Sequence, residues 1–321
     1  MKAIYVDQFG GPEVLVLGDL EVPQRQSATQ VLVEIRAAGV NPVDTYIRAG
    51  TYGRLPQLPY IPGTDGAGTV VAVGESVSRV QVGDRVYGGW PMTGTYAQFA
   101  LYEEDWVYPL PSNLSFEQGA GIFVPYSTAH RALFEKAQAQ AGETVLIHGA
   151  TGAVGLAAVQ LAIQAGLRVI GTGGTQAGRE LIQAQGAEMV LDHHSSDYRD
   201  HILAATEGRG VNVILEMLAN MNLGHDLPLL APGGRVVVIG SRGTVEINPR
   251  DIMAKESIIT AVNLFSTPPE RLHHIQTQLA PGLRDGTLSP VIAQSHPLAE
   301  AAAVHRQILE PGALGNRILI P

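Results

Sequence analysis

The sequence predicts an α/β protein in which a doubly wound, mostly parallel sheet is joined to a discontinuous, β-rich, barrel-like unit. Three observations predict it. The first third holds short β-branched runs separated by turn pairs such as NP, PG and GD. From residue 143 onward, apolar strands and helical stretches alternate with a regular beat. The last part adds further helix and strand patterns, and this tail is expected to return to the first unit. With 321 residues the chain is long enough for two domains. These changes place the first unit at residues 1–124, the second at 125–264, and the returning segment at 265–321.

In the first unit, strands are expected over residues 2–6, 30–35, 68–73, 84–87 and 96–101. Residues 116–134 read as helical, with Pro125 as the expected break. The second unit opens with a strand over 144–149 and a helix over 153–165 that ends at Gly166. A strand over 168–171 and a helix over 176–185 follow, ending at Gly186. Four further strands are expected over 189–192, 211–216, 235–240 and 257–263. Six strands joined by crossovers are what a doubly wound parallel sheet requires. The tail reads as a helix (269–283), a strand near Val291, a helix (298–309) and a final strand (317–320).

Composition narrows the function classes. Hydrophobic residues make up 45% and charged residues 16%, which provides a large core and argues against disorder. The net charge is −9, from 30 acidic and 21 basic side chains, with no basic block, so a nucleic-acid surface has little support. The absence of cysteine removes disulfides, thiolate nucleophiles and cysteine-bound zinc. The N-terminal stretch MKAIYVDQFGG has no long apolar run with a cleavage site, and no apolar stretch is long enough to span a bilayer. A soluble, cytoplasmic protein is expected.

The most informative stretch is TVLIHGATGAVG, residues 144–155. An apolar strand runs into Gly149, Gly152 and Gly155, and an apolar helix follows at once. A dinucleotide pyrophosphate needs N–H groups at a helix N-terminus and backbone free of side chains for close approach. Gly152 fits the close-approach position, and Gly155 lets the helix pack on the sheet. Ala150 replaces the first glycine of the usual G-x-G-x-x-G spacing. About twenty residues further on, where an NAD site places an acidic residue for the ribose 2′-hydroxyl, the chain has GTGG (171–174) and no carboxylate. A carboxylate there repels a 2′-phosphate, so the residues favour NADPH. Arg179, His193 and Arg242 are candidate partners for that phosphate. Arg179 by itself reads somewhat better as a solvated helix residue.

With these pieces in place, the chain resembles the zeta-crystallin family of NADPH:quinone oxidoreductases, zinc-independent members of the medium-chain dehydrogenase/reductase superfamily. The resemblance runs from Lys2 to Ile320 and is carried by FGGPEVL (9–15), GVNPVDTYIRAGTY (39–52), HGATGAVGLAA (148–158), EMLAN (216–220) and GSRGTVEINPRDIMAKES (240–257). It implies a GroES-like catalytic domain with a Rossmann domain and NADPH as cofactor. By motif, it implies that Tyr46 lies on the nicotinamide side and that Thr151, Gly152, Ala153 and Val154 wrap the pyrophosphate. It further implies that Gly174 and His193 serve the adenosine end. It also implies that Asn222, after the fourth strand, Ile239, Gly240, Ser241 and Arg242, after the fifth, and Val262, Asn263 and Leu264, after the sixth, lie beside the cofactor. Ala153 departs from the family's usual glycine and adds a methyl near the phosphates. Homodimers or homotetramers are the assemblies the resemblance allows.

Many members of the superfamily hold a catalytic zinc where this chain has Asn41 and Thr64-Asp65, neither cysteine nor histidine. The pairs His193–His194 and His273–His274 are adjacent, and neighbours on one helix or strand point apart, so neither pair reads as a chelate. No metal is therefore expected, and an acceptor that is already electrophilic suits the site. Asn41, Asp44, Tyr46 and Tyr52 are the candidate catalytic residues, read as clustered in one loop. Tyr46 or Tyr52 is placed to donate to an acceptor oxygen gaining negative charge. Asn41 reads equally as a turn-stabilising side chain before Pro42, and Asp44 as a helix cap rather than an acid. Hydride and one-electron transfer to a quinone both remain open. An NADPH-dependent enoyl or enone reductase is the nearest rival, and a structural or RNA-binding crystallin-like role the alternative of another class. The acidic balance weighs against RNA.

Overall fold

Alternation builds the first sheet. From Gln30 to Val40 the side chains of Val31, Val33, Ile35 and Ala37 are buried, while Glu34 and Arg36 point outward and pair with each other at 2.9 Å. The computed structural model describes residues 1–321 and holds fifteen strands. The first seven are β1 (Lys2–Tyr5), β2 (Val16–Asp19), β3 (Gln30–Val40), β4 (Asp65–Val73), β5 (Arg85–Gly89), β6 (Phe99–Glu103) and β7 (Val107–Pro109). They are followed by β8 (Thr144–Ile147), β9 (Arg168–Thr172), β10 (Met189–Leu191), β11 (Val211–Glu216), β12 (Leu230–Val238), β13 (Ile258–Ala261), β14 (Ile292–Pro297) and β15 (Asn316–Ile320).

The backbone forms two units. One comprises residues 1–124, 269–311 and 315–321; the other comprises 125–268 and 312–314. In the first, the strand order is β14-β15-β3-β4-β5-β7. The long strand β3 pairs with β4 along one edge, and along the other with β6 at residues 30–34 and with β15 at residues 38–40. Register shifts between Leu32 and Val33 and between Ile35 and Ala37 bend the strand, as bulges do in barrel-like sheets. Val6, Val31, Val33, Ile35, Val86, Tyr96, Tyr102 and Leu319 form its core.

The second unit bears out the doubly wound expectation. Its six strands run in the order β10-β9-β8-β11-β12-β13, and every pair is parallel. The chain therefore starts in the middle, winds outward on one side, returns, and winds outward on the other. The central strands β8 and β11 are buried on both faces, which is why Val145, Leu146, Ile147, Val213, Ile214 and Leu215 form unbroken apolar runs.

Two local expectations need correction. The helical stretch 116–134 does break, but at residues 120–122, between helices Phe116–Gly119 and Phe123–His130. Pro125 lies in the first turn of the second helix, where its missing N–H has no intrahelical acceptor to lose. Residues 41–52 are not simply a loop, because Pro42–Arg48 is a helix with Asn41 at its N-cap. Seven residues opened by proline leave little periodicity for a sequence to display.

Candidate dinucleotide-binding and catalytic sites

In the second unit, β8 delivers the chain into a turn whose geometry depends on glycine. Gly149 has φ +56°, and Gly152 is the N-cap of the helix Ala153–Gln164. The Gly152 N–H donates to the Gly149 carbonyl at 3.1 Å, and the Ala150 N–H donates to Thr172 at 3.1 Å, tying the turn to β9. The first helical N–H groups, those of Ala153, Val154 and Gly155, have no intrahelical acceptors. The two later glycines serve different ends. A Cβ on Gly155 would stand 2.5 Å from the Gly149 carbonyl oxygen and 2.7 Å from the Ala150 Cα, so the backbone itself forbids a side chain. A Cβ on Gly152 would meet nothing nearer than the Gly149 oxygen at 3.6 Å. Its backbone conformation, φ −77°, suits any residue. Folding does not require glycine at 152, whereas a pyrophosphate approaching the helix terminus does. The cradle fits a dinucleotide.

Thr151, Ala153 and Val154 are half-buried around this turn, and the Thr151 methyl packs beside Gly173 and Gly178. After β9, a Cβ on Gly174 would lie 2.7 Å from His194 Nε2 and 2.9 Å from His193 Nε2, so the structure brings Gly174 and His193 together. The His193 and His194 rings are 4.4 Å apart. The expectation that they diverge is corrected, since both sit in a turn rather than on a strand. Burial and the neighbouring His194 pull the His193 imidazole below its ordinary range. Arg179 is engaged, pairing with Asp192 at 2.8 Å and donating to the Gly173 carbonyl at 3.2 Å.

The remaining cofactor candidates fall at the C-terminal ends of the parallel strands. Ile239, Gly240, Ser241 and Arg242 follow β12, with the Arg242 N–H donating to Asn220 Oδ1 at 2.8 Å and Ser241 Oγ to Gly243 at 3.0 Å. Val262, Asn263 and Leu264 follow β13. Arg131 holds that segment, donating from Nη1 to the Asn263 carbonyl at 3.0 Å and to Thr267 Oγ1 at 2.6 Å. Asn222 points its Nδ2 at Glu216 Oε1, 3.1 Å away.

In the first unit, Asn41 and Asp44 enter a buried polar network. Asp44 Oδ2 accepts from the Asn41 N–H at 2.9 Å and from Tyr96 Oη at 3.2 Å, and its Oδ1 accepts from Thr64 Oγ1 at 3.2 Å. Asp65 Oδ2 accepts from Asn41 Nδ2 at 3.0 Å and its Oδ1 from the Val124 N–H at 3.0 Å. Tyr96 Oη also lies 3.0 Å from Nε2 of His305, whose imidazole is pushed down to about 3 by burial and by the Arg48 charge. Tyr46 and Tyr52 are half-buried, on the last turns of the helix and just beyond it. Burial raises the Tyr52 hydroxyl above its ordinary range.

Sequence reasoning passed over a second buried group. His148 Nε2 lies 2.8 Å from Asp226 Oδ1 and 3.8 Å from Glu216 Oε2, and all three side chains are at most 3% exposed. The only signal in the sequence was a histidine immediately before the glycine turn.

Burial pushes the Asp44 carboxyl up to about 6, against three hydrogen bonds that pull it down. A folded value above the ordinary one of about 4 means that the unfolded chain ionises first. Its contribution to stability is complete below about pH 4 and is lost as pH rises through about 6, amounting to about 3 kcal/mol. Asp44→Asn is expected to remove that loss, so its unfolding free energy gains on the wild type between about pH 4 and about pH 7. Parallel urea curves for the two proteins across that range contradict the assignment.

Comparison with known proteins places these features. Residues 27–112 match the alcohol dehydrogenase GroES-like domain, and residues 153–277 match the family described as zinc-binding dehydrogenase. A curated quinone oxidoreductase from Rattus norvegicus is 50% identical over 322 residues, covering 100% of this chain and 98% of the relative. The Escherichia coli quinone oxidoreductase complexed with NADPH is 30% identical with a TM-score of 0.88, covering 100% of each chain. An NAD-dependent alcohol dehydrogenase structure is 28% identical with a TM-score of 0.93, again over 100% of both chains. The zinc implied by one family description does not fit the Asn41–Asp65 network. Both oxygens of Asp44 and both of Asp65 already accept hydrogen bonds from protein donors, and neither cysteine nor histidine stands at 41, 64 or 65.

Proposed function

Because the chain belongs to the quinone oxidoreductase family of the medium-chain dehydrogenase/reductase superfamily, we propose that it reduces quinones with NADPH. The observation that carries this reading is the open Cβ direction at Gly152, a glycine the fold does not need and a pyrophosphate does. Thr151, Gly152, Ala153 and Val154 hold the pyrophosphate at the helix N-terminus, and Gly174 with His193 takes the adenosine end. The absence of a carboxylate after β9 favours NADPH over NADH. The bound nicotinamide supplies the reducing equivalents, and the polypeptide supplies orientation and exclusion of water.

Among the candidate catalytic residues, Asn41 and Asp44 serve the fold more than the acceptor, because their polar atoms are spent on one another and on Thr64, Asp65 and Tyr96. Tyr46 and Tyr52 are the residues we assign to the acceptor, as flat apolar surface with a hydroxyl donor for the oxygen that gains charge. The Tyr52→Phe variant is expected to lower kcat with a benzoquinone by about tenfold while KM for NADPH stays within about twofold. Unchanged kcat removes that hydroxyl from the mechanism. Comparing kcat/KM for a quinone series with that for α,β-unsaturated ketones separates quinone reduction from enone reduction, and quinones are expected to be preferred.

No helix is long and apolar enough to cross a membrane. We place the protein in the cytoplasm, in line with its NADPH use, and as a homodimer or homotetramer. Strand β13 is paired on one side only, by β12, and leaves a sheet edge for a second copy.

A further inference from the structure

Three of the segments assigned to the cofactor meet around one buried cluster. Glu216 ends β11, and its Oε1 accepts hydrogen bonds from the Leu218 N–H and from Asn222 Nδ2, which fixes the turn at 217–218 and the first turn of the helix that follows. That turn lies against the glycine turn, since a Cβ on Gly149 would stand 3.5 Å from the Met217 side chain. It also lies against the segment after β12. A Cβ on Gly240 would come within 2.5 Å of the Met217 carbonyl, the Ala219 N–H donates to Gly240 at 2.9 Å, and the Ile239 N–H donates to Glu216 at 2.8 Å. Asp226, at the end of the helix Ala219–Asp226, closes the cluster on His148, which immediately precedes the glycine turn.

With both carboxyls ionised, the charges in this cluster do not balance even against a protonated His148. Two carboxyls and an imidazole are buried together, and Glu216 Oε2 and Asp226 Oδ2 have no hydrogen-bond donor. An uncompensated buried carboxylate costs several kcal/mol, so a positive charge must enter: a proton or a metal ion. The three side chains offer ligand atoms within 4.8 Å of one another. Yet His148 Nε2 and Asp226 Oδ1 are 2.8 Å apart, the distance of a direct hydrogen bond and closer than two ligands spread around one ion.

We propose that His148, Glu216 and Asp226 are positioning residues of the dinucleotide site, a buried triad that keeps a proton between its two carboxyls and thereby holds the 148–152, 216–222 and 239–242 segments in place. This rests on the dinucleotide reading above. Glu216 Oε2–H donates to Asp226 Oδ2, His148 Nε2–H donates to Asp226 Oδ1, and Glu216 Oε1 stays free to accept from Leu218 and Asn222. Burial, opposed by His148 and reinforced by Asp226, raises the Glu216 carboxyl to about 7. Burial pulls the His148 imidazole down, but Asp226 and Glu216 outweigh it and leave it above its ordinary range. The other titratable groups facing the triad are Tyr198, from the helix Tyr198–Ala205, and His193, beyond β10. As pH rises the shared proton is lost to solvent, the two carboxylates repel, and the three segments loosen.

The test is NADPH titration and steady-state kinetics from about pH 6.5 to about pH 9 on the wild type, Glu216→Ala and Glu216→Gln. In the wild type, KM for NADPH is expected to rise about tenfold across that range while kcat changes far less. Glu216→Ala raises KM by about tenfold or more at every pH. Glu216→Gln, whose amide reproduces both the acceptor and the donor of the protonated acid, rescues binding and makes KM independent of pH. Infrared difference spectra should show a protonated-carboxyl stretch in the wild type that is missing from Glu216→Gln. A wild type that binds NADPH with a flat pH profile sinks this proposal alone; one that binds no NADPH at any pH sinks the cofactor reading with it. Stoichiometric metal in the wild type that is absent from Glu216→Gln also overturns it, because the compensating charge is then the ion.

Discussion

Gly152→Asp should bind NADPH about 10²- to 10³-fold more weakly than the wild type while melting at the same temperature or slightly higher. The two halves of this expectation have opposite signs because they act through different physics. Gly152 is the N-cap of the helix Ala153–Gln164, and aspartate is a better N-cap than glycine, by a few tenths of a kcal/mol. The backbone at φ −77° accepts an L side chain, and no atom lies within 3.5 Å of the added Cβ. The carboxylate, however, occupies the space a pyrophosphate must enter. At about 4 Å, repulsion between like charges at a protein surface is about 4 kcal/mol, close to three decades of affinity. A variant that loses stability and binding together would show that Gly152 is there for the fold.

The twin substitution three residues on has a different target. Gly155→Val is expected to destabilise the second unit by about 3 kcal/mol and to lower its melting temperature by about 6–12 °C. Its Cβ would stand 2.5 Å from the Gly149 carbonyl oxygen and 2.7 Å from the Ala150 Cα, and both are backbone atoms of the turn that Ala150 anchors to Thr172. Relief requires the helix to lift from β8, which opens the turn, so NADPH affinity falls as a consequence. Thermal unfolding read by far-ultraviolet circular dichroism measures it. A melting temperature within about 1 °C of the wild type would mean that the turn yields more cheaply than its packing indicates.

What the sequence made legible follows from locality. The six parallel strands were legible because each crossover unit is written in contiguous residues, such as TVLI before Gly149 or VNVILE at 211–216. The strand–glycine turn–helix unit at 144–164 was legible for the same reason. The helix Pro42–Arg48 escaped because seven residues are too short to show a 3.6-residue period. The break after Phe116–Gly119 was misplaced because Pro125 weighs heavily in a linear reading, although proline is at home in a first turn. The triad was invisible for a deeper reason. His148 and Asp226 are 78 positions apart and meet only because β8 and β11, distant in sequence, are neighbours in the sheet. The network of Asn41, Asp44, Asp65 and His305 depends likewise on long-range pairing, of β3 with β4 and with β15. Parallel and barrel-like sheets gather their polar clusters from remote stretches, so a site of this kind is legible in sequence only where it coincides with a motif.

Titration of the purified chain with NADPH and with NADH, followed by cofactor fluorescence, probes the central reading most directly. It predicts saturable binding of NADPH, tighter than that of NADH, since nothing at 171–174 opposes a 2′-phosphate. No saturable response to either reduced cofactor would contradict it.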